Sequence, residues 1–294
     1  MAMPLPSGVT LVDDDHLGPV VRVSSEFGAT TVHLHGAHVT SWIPAGQEEQ
    51  LWLSPQSQYG SDSAIRGGVP ICFPWFAKGP GDWEPQHGFA RRLPWHLDRA
   101  QMDPDGVRLE LGLTDSDVPD DAPGRDRWPH RFEACYTVHL DNDGLSLDLA
   151  VRNTGDVSFD LGGALHTYLH VADISQVRVH GLAGVTSWDK VTGRHDEQRE
   201  DELVVTGETD RIYDTTDTVA VSDGSGTTLV SGHSTTRTVV WNPWEDKARA
   251  MDDFSDDGWQ SMLCVEAAIP YDTAIAVTPG ERFSFGQRLV DART

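Results

Sequence analysis

The sequence of 294 residues predicts an all-β protein, built as a large antiparallel β-sandwich. Three observations lead to this class. Polar and apolar residues alternate with a period of two in several segments, including 107–111 and 176–180, as in strands with one buried face. Turn-forming sequences recur at short intervals, in a chain with 28 Gly and 17 Pro. Few segments keep a helical period, and this combination is typical of antiparallel sandwiches.

Two hairpins are the clearest individual elements. Strand-like segments 136–140 and 145–151 are joined by Asp-Asn-Asp-Gly, a strong turn sequence. Segments 218–221 and 227–230 are joined in the same way by Ser-Asp-Gly-Ser-Gly. Each pair is therefore predicted to form two antiparallel strands around a tight connection.

Helices are expected to be few and short. The sequence predicts one at 245–251 and a further helical turn at 258–262. The polar, charged segments 115–130 and 192–202 are predicted to be loops. No internal repeat or linker divides the chain, so we expect a single domain over residues 1–294.

The charge balance excludes some classes of partner. Acidic residues number 46 and basic residues 22, giving a net charge of −24. Binding to nucleic acid or to an anionic membrane surface needs clustered Lys and Arg, so neither is expected. The start of the chain lacks the basic and apolar regions of a signal peptide, and none is expected. Three well-separated cysteines, Cys72, Cys135 and Cys264, suggest reduced thiols in a cytoplasm.

The first candidate site is a segment in which basic residues slightly outnumber acidic ones, unlike the chain as a whole. Residues 60–101 carry five basic and four acidic side chains, and include Arg66 and Arg91. These arginines either form structural ion pairs or bind an anion, because guanidinium groups match phosphate and carboxylate geometry. The adjacent Gly67–Gly68 pair favours the second interpretation, since glycine lets a backbone approach a ligand closely.

Histidines flank a tyrosine in the second candidate site. His166, Tyr168 and His170 share one face if they lie on a regular strand. A neutral histidine gives or takes protons near pH 7, which suits general acid/base catalysis. The alternative is a buried histidine with a purely structural hydrogen bond.

An acidic residue inside an apolar run marks the third candidate site. In segment 262–268, alternation puts Cys264 and Glu266 on one face. Burial of an unpaired carboxylate is unfavourable and raises its pKa. Glu266 therefore either lines a cavity or pairs with a buried base. A histidine and a glutamate facing one cleft would form an acid/base pair.

Metal and cofactor sites lack support in the sequence. His33, His35 and His38 lie close together, but no cysteine or acidic residue follows at zinc-site spacing. Sequence patterns of nucleotide-binding loops, serine hydrolases and zinc peptidases do not occur. We therefore expect no metal and no cofactor. Aromatic residues beside the motifs, such as Trp75 and Trp241, suit either the core or the wall of a sugar-binding cleft.

Seven segments, in matching order, resemble the aldose 1-epimerase (galactose mutarotase-like) superfamily, in particular its glucose-6-phosphate 1-epimerase branch. Each segment alone is a weak signal, whereas the ordered set, within about residues 31–290, is specific. The segments are GAHVTSW (36–42), AIRGGVPIC (64–72), PQHGFAR (85–91), ALHTY (164–168), DRIY (210–213), VWNPW (240–244) and CVEAA (264–268).

The resemblance implies an antiparallel β-supersandwich with an open cleft, and a reaction that interconverts the α and β anomers of a hexose 6-phosphate. The substrate it suggests first is glucose 6-phosphate. By the same resemblance, His166 is the general acid for the ring oxygen and Glu266 the general base for the C1 hydroxyl. His87 corresponds to a second cleft histidine that holds substrate oxygens. We expect His166 and Glu266 on opposite sides of one pocket.

The resemblance also implies roles for four further residues. Arg66 and Arg91 correspond to a phosphate-binding pair at the far end of the pocket, while Gln86 and Asp210 correspond to positions that bind sugar hydroxyls. Because both arginines are present, the phosphate-using branch is favoured over mutarotases of neutral sugars.

The expected partner is the hexose 6-phosphate alone, bound by a cytoplasmic monomer. Two alternatives remain open at this point. One is a non-catalytic carbohydrate-binding or sugar-sensing module on the same fold. The other is a mutarotase for a different sugar. The His166 and Glu266 combination argues against the first alternative, because a binding module needs no matched proton donor and acceptor.

Overall fold

In a computed structural model, residues 4–14, 18–59 and 63–292 are described, and their strands pair throughout in antiparallel fashion, as predicted. The strands, in chain order, are β1 (Val9–Asp14), β2 (Gly18–Ser25), β3 (Gly28–His33), β4 (His38–Pro44), β5 (Ile71–Cys72), β6 (His96–Asp103), β7 (Gly106–Thr114), β8 (Phe132–Asp141), β9 (Gly144–Asn153), β10 (Phe159–Leu161), β11 (Gly163–Leu165), β12 (Tyr168–His170), β13 (Arg178–His180), β14 (Thr186–Asp189), β15 (Arg194–Glu197), β16 (Glu202–Leu203), β17 (Thr209–Tyr213), β18 (Val219–Ser222), β19 (Thr227–His233), β20 (Arg237–Asn242), β21 (Met262–Ile269), β22 (Ile275–Val277) and β23 (Arg282–Asp291).

Helical structure is limited to short elements. In the described part of the chain, the one α-helix is α1 (Trp244–Arg249), which confirms the helix predicted at 245–251. The predicted turn at 258–262 is also confirmed, as a 3₁₀ helix. The 3₁₀ helices are Ala90–Arg92, Asp115–Asp117, Ile174–Gln176, Gly258–Ser261 and Tyr271–Thr273.

Two large sheets dominate the architecture. The eight-stranded sheet has the order β15-β14-β17-β20-β21-β11-β5, with β12 also paired to β21. The nine-stranded sheet has the order β16-β13-β18-β19-β23-β9-β8-β7-β6. A four-stranded sheet of β1 to β4 and a two-stranded β10–β22 sheet complete the fold. The two predicted hairpins are confirmed as β8–β9 and β18–β19.

The loop predicted at 192–202 is wrong, because this segment contains β15 and β16. All four residues of β15 are exposed, so no apolar alternation marks the strand in the sequence. The strand forms through backbone pairing with β14 at the edge of the sheet. Charged side chains on an edge strand are a common protection against pairing with other molecules.

The apolar core lies between the two large sheets. Leu263, Val265 and Ile269 of β21 belong to it. The side-chain amide of Gln287, on β23, donates to the backbone oxygen of Val265 at 3.0 Å and accepts a hydrogen bond from the Thr167 hydroxyl. These buried contacts tie the nine-stranded sheet to the centre of the eight-stranded sheet.

The opposite face of β21 carries the residues of chemical interest. Cys264 and Ala268 pack in separate apolar clusters, away from the main core, and Glu266 lies between them along the strand. The predicted alternation, with Cys264 and Glu266 on one face, is therefore confirmed. Among the described residues, no helix is long and apolar enough to cross a bilayer.

Candidate active site

The centre of the site is a contact between a histidine and a glutamate. His166 Nε2 lies 3.3 Å from Glu266 Oε1, and both side chains are buried. Strand β11 ends opposite Ala267 and β12 begins opposite Cys264, so the intervening residues 166–167 pass beside Glu266. The expectation that the two groups lie on opposite sides of a pocket is wrong, because this register brings them into direct contact.

His166 lies between β11 and β12 and not on a regular strand, so the three predicted residues do not share one face. His170 is exposed, whereas His166 and Tyr168 are buried. The Tyr168 ring stacks on the His166 imidazole, with ring centres 4.8 Å apart and planes inclined by 11°. Trp241 meets the same imidazole edge-on at 6.0 Å. The imidazole is therefore held by aromatic rings on two sides.

Burial shifts both groups towards their neutral forms. It lowers the pKa of His166 well below 6.5, and the positive charges of Arg91 and Arg66 lower that pKa further. Burial raises the pKa of Glu266 well above 4.5, and the negative charge of Asp210 adds to the shift. Burial therefore disfavours the charged form of each group.

Several polar atoms around this pair have no protein partner. Within the described residues, His166 Nδ1, Glu266 Oε2 and Arg91 Nε are buried without a hydrogen bond. Buried polar atoms of folded proteins are nearly always paired, so such a group of atoms indicates a place where a polar ligand is accommodated. Its location on a histidine, a glutamate and an arginine suits an anionic, hydroxylated ligand.

His87 lies next to His166, with ring centres 5.5 Å apart, and also contacts the ring of Phe76. The backbone N–H of Ala77 donates to His87 Nδ1 at 3.2 Å. Burial lowers the pKa of His87 well below 6.5, so the ring is neutral near pH 7. Since Nδ1 accepts a hydrogen bond, the proton of the neutral ring is on Nε2, which is then a donor.

Arginines and acidic residues line a cavity of about 310 Å³, which is connected to His166 through Tyr168, a lining residue that stacks on the imidazole. Arg66, Arg91 and Arg92 contribute positive charge, and Glu84 and Asp253 contribute negative charge. The local charge is therefore positive in a chain that is otherwise strongly acidic. The two predicted arginines are brought to one cavity, as expected of a common anion site.

The arginines also make protein contacts. Arg66 forms an ion pair with Asp253 and donates from Nη1 to the Tyr168 hydroxyl at 2.9 Å. Arg91 donates from Nη2 to the backbone oxygen of Gln86 at 2.9 Å, and Gln86 lines the same cavity. Structural pairing and exposure to a ligand cavity, considered as alternatives for Arg66, therefore occur together.

The Gly67–Gly68 pair lies close to the backbone of neighbouring segments. Both residues have positive φ, +111° and +59°. A Cβ on Gly68 would lie 2.2 Å from the backbone oxygen of Val39, and one on Gly67 would lie 2.4 Å from that of Trp52. The glycines therefore permit close packing of backbone on backbone, which holds the segment after Arg66 in place.

Asp210 lies on β17 and pairs with Lys190, whose Nζ is 3.0 Å from Asp210 Oδ2. Lys190 and Gln86 also line a groove of about 850 Å³ with Phe76 and Trp188. All seven predicted site residues are thus linked through contacts, shared cavities or charge to one region of the eight-stranded sheet.

Sequence reasoning missed two contributors to this region and the hydroxyl contact of a third. Asp253 and Lys190 lie in polar segments that look like ordinary surface, and no local pattern marks them. Tyr168 stood out only as a neighbour of His166, and its hydroxyl contact with Arg66 depends on the fold.

The histidine group near the N-terminus supports the backbone of the site. His38 is buried, and its Nε2 lies 2.7 Å from the backbone oxygen of Gly67. His35 Nε2 lies 2.8 Å from the backbone oxygen of Ser63. Across the described ranges, no group of three His, Cys, Asp or Glu side chains is arranged to hold a metal ion.

Known proteins are similar to this chain in sequence, in fold or in both. A candidate glucose-6-phosphate 1-epimerase of Escherichia coli is 37% identical over 244 residues, covering 82% of the chain and 79% of that protein. A candidate mutarotase of Salmonella typhimurium superimposes with a TM-score of 0.88 at 30% identity, covering 100% of the chain and 96% of its own. A galactose mutarotase-like protein of Clostridium acetobutylicum has a TM-score of 0.74 at 15% identity, covering 97% and 98%, and shares the fold.

Residues 19–289 match the family described as aldose 1-epimerase. This range includes the buried His166 and Glu266 pair and the cavity that contains Arg66 and Arg91. The chain therefore belongs to the aldose 1-epimerase family.

Proposed function

We propose that the chain interconverts the α and β anomers of a hexose 6-phosphate, and that this substrate is glucose 6-phosphate. The chain acts as a single domain of residues 1–294. His166 and Glu266 exchange protons with the sugar. Arg66 and Arg91 bind the phosphate, while Gln86, His87 and Asp210 bind sugar oxygens, the roles that the family resemblance implies for them.

One observation carries this proposal: Tyr168, whose ring stacks on His166 of the buried His166–Glu266 pair, also lines a cavity with three arginines. Opening a hexose ring needs a proton donor at the ring oxygen and a proton acceptor at the C1 hydroxyl. The 6-phosphate of the same sugar needs cationic side chains near these two groups. The relatives that share the family add support, because the E. coli protein is named as a candidate glucose-6-phosphate 1-epimerase.

Ring opening moves two protons. The imidazolium of His166 donates a proton to the ring oxygen, the bond between that oxygen and C1 breaks, and the Glu266 carboxylate takes the proton of the C1 hydroxyl. The products are an open-chain aldehyde, a neutral imidazole and a protonated carboxyl. Rotation about C1–C2 followed by the reverse proton transfers closes the ring on either face. No other reactant is consumed.

The contact between the two side chains fits this cycle. The neutral pair favoured by burial is the state that the enzyme reaches after ring opening. It differs from the imidazolium–carboxylate pair only in the position of one proton, and the two atoms involved are 3.3 Å apart. The pair therefore holds one transferable proton, and each group acts as donor in one direction and acceptor in the other.

The remaining expectations concern partners and location. We propose a monomer that acts in the cytoplasm on a small substrate, without nucleic acid or membrane. The net charge of −24 supports the absence of nucleic acid and membrane partners, because it opposes binding to polyanions and anionic lipid.

The experiment is an anomerisation assay on freshly dissolved α-glucose 6-phosphate, followed by exchange NMR or polarimetry. We expect the approach to the anomeric equilibrium to accelerate in proportion to protein concentration, with the equilibrium ratio unchanged. A rate equal to that of buffer would contradict the proposal. Binding of the sugar without acceleration would favour the carbohydrate-binding module. Parallel assays with galactose and mannose 6-phosphates would rank the substrates.

A further inference from the structure

The guanidinium group of Arg66 is held from two directions. Asp253 Oδ2 accepts a hydrogen bond from Nε at 3.1 Å and forms an ion pair with Nη2 at 3.0 Å. The Tyr168 hydroxyl accepts from Nη1 at 2.9 Å. A guanidinium carries five N–H donors, and these contacts use three of them. Two donors remain for another ligand, with the orientation of the group already set.

Asp253 lies in the segment 243–262, and hydrogen bonds hold both ends of this segment. Asn242 is buried, and its side-chain oxygen accepts from the backbone N–H of Trp244 at 2.9 Å. The amide of Asn242 donates to the backbone oxygens of Trp259 and Met262 at 2.8 and 2.9 Å. One side chain therefore joins the beginning and the end of the segment 243–262.

The middle of the same segment is anchored by an apolar side chain. Phe254 is buried, with its ring centre 4.7 Å from that of Trp52. The two residues before Phe254 behave differently: Asp253 faces Arg66 and lines the arginine cavity, while Asp252 is exposed. The position of the Asp253 carboxylate is thus determined by packing of its neighbour.

We propose that Asp253 is a positioning residue, which orients Arg66 so that its two remaining donors bind the 6-phosphate of the substrate; this inference rests on the proposed function. A free arginine side chain samples many rotamers, and ordering it upon binding would weaken affinity. Asp253 orders the Arg66 side chain before the substrate binds, so this loss of affinity is avoided.

A carboxylate beside a phosphate also has an opposing, repulsive effect. Arg91 and Arg92 line the same cavity and counter it, so the cavity remains positive with Asp253 ionised. Asp253 contacts two donors on one edge of Arg66, which leaves its own charge largely compensated by that guanidinium. Orientation of Arg66 therefore outweighs repulsion of the phosphate.

The test compares Asp253→Ala and Asp253→Asn with Asp252→Asn, a matched control that removes one exposed carboxylate from the adjacent position. Steady-state anomerisation is measured on glucose 6-phosphate and on glucose. In Asp253→Ala, KM for glucose 6-phosphate should rise roughly tenfold, with kcat changed less than about threefold, as for the loss of hydrogen bonds to a charged group. Asp253→Asn keeps an acceptor and should raise KM less. Asp252→Asn should keep the wild-type KM.

Three results would overturn the inference. A lower KM in both Asp253 variants would mean that the carboxylate competes with phosphate. An equal rise of KM for glucose and for glucose 6-phosphate in the Asp253 variants would indicate a structural role. A rise of KM for glucose 6-phosphate in Asp252→Asn as large as in the Asp253 variants would indicate a long-range effect of charge. Thermal unfolding of each variant shows that the compared proteins are folded.

Failure of the proposed function would look different. It would be inactivity of the wild-type protein towards both sugars. In that case calorimetric titration with glucose 6-phosphate still tests the positioning role, since the Asp253→Ala variant should bind roughly tenfold more weakly than the wild type and the Asp252→Asn variant equally well. Equal binding by all three proteins would refute it.

Discussion

His166 Nε2 and Glu266 Oε1 lie 3.3 Å apart at the point where β11 ends and β12 begins, both pairing with β21. The interruption releases His166 from the ladder, so that its side chain reaches the glutamate on the neighbouring strand. The contact lies on the face of β21 opposite the apolar core, where proton-transfer groups are surrounded by aromatic rings and arginines.

Removal of either member of this pair should abolish most of the anomerisation. We expect kcat to fall by roughly 10²–10⁴ in His166→Ala or Glu266→Gln, the contribution of a positioned acid or base. Exchange NMR on glucose 6-phosphate measures the rate. His170→Ala is the control, because His170 is exposed and two residues from Tyr168. A variant of the pair with near wild-type kcat would remove that residue from the mechanism.

The Arg66 guanidinium should discriminate between phosphorylated and free sugars. In Arg66→Ala we expect KM for glucose 6-phosphate to rise roughly 10- to 100-fold, because charge-assisted hydrogen bonds are lost, and KM for glucose to rise far less. Arg99→Ala removes the same charge from an exposed position on β6 and should leave both constants unchanged. Equal effects of Arg66→Ala on the two sugars would show that Arg66 does not bind phosphate.

Tyr168 makes two separable contacts, one through its hydroxyl with Arg66 and one through its ring with His166. Tyr168→Phe keeps the stacked ring, so KM for glucose 6-phosphate should rise a few-fold while kcat is retained. Tyr168→Ala also removes the ring, and kcat should fall as well because the imidazole loses its support. Steady-state kinetics of the two variants check this division. Identical kinetics in both variants would contradict it.

Acid should destabilise the fold through buried histidines. Burial lowers the pKa of His38 from 6.5 to about 3 and that of His33 to about 4. Between those values and 6.5 the unfolded chain binds more protons than the folded chain, so stability falls as pH falls. The loss is about 1.4 kcal/mol per pH unit for each histidine, or about 2 kcal/mol each at pH 5.

The variant that checks this is His38→Gln, whose amide nitrogen can replace Nε2 as donor to Gly67. Urea unfolding at pH 7 and pH 5 should show a smaller loss of unfolding free energy on acidification in the variant than in the wild type, by about 2 kcal/mol. Parallel losses in the two proteins would exclude His38 as a source of the acid sensitivity.

The backbone after Arg66 should tolerate no side chain at Gly68. A Cβ there would lie 2.2 Å from the backbone oxygen of Val39, at a φ of +59°. We expect Gly68→Ala to lower the unfolding free energy by about 2 kcal/mol or more and to weaken binding of glucose 6-phosphate. Gly207→Ala is the control, since no atom lies within 4 Å of its added Cβ. Equal thermal stability of the two variants would contradict this account.

Local features of the fold could be predicted because they depend on neighbouring residues. Period-two alternation identified the strands of both hairpins and the two faces of β21, including the placement of Glu266 away from the core. The same method failed at β15, where every residue is exposed. A strand with no buried face leaves no apolar pattern, and only its backbone partner β14 makes it a strand.

By itself, the sequence determined the β class of the protein, its hairpins, its short helices and, through ordered motifs, which residues to examine. The tertiary structure alone decided that His166 touches Glu266 instead of facing it across a pocket. It also decided that Asp253 reaches Arg66 across 187 positions of sequence. The physical reason is that alternation reports which face of a strand is buried, whereas strand register and the meeting of distant loops depend on packing of the whole chain.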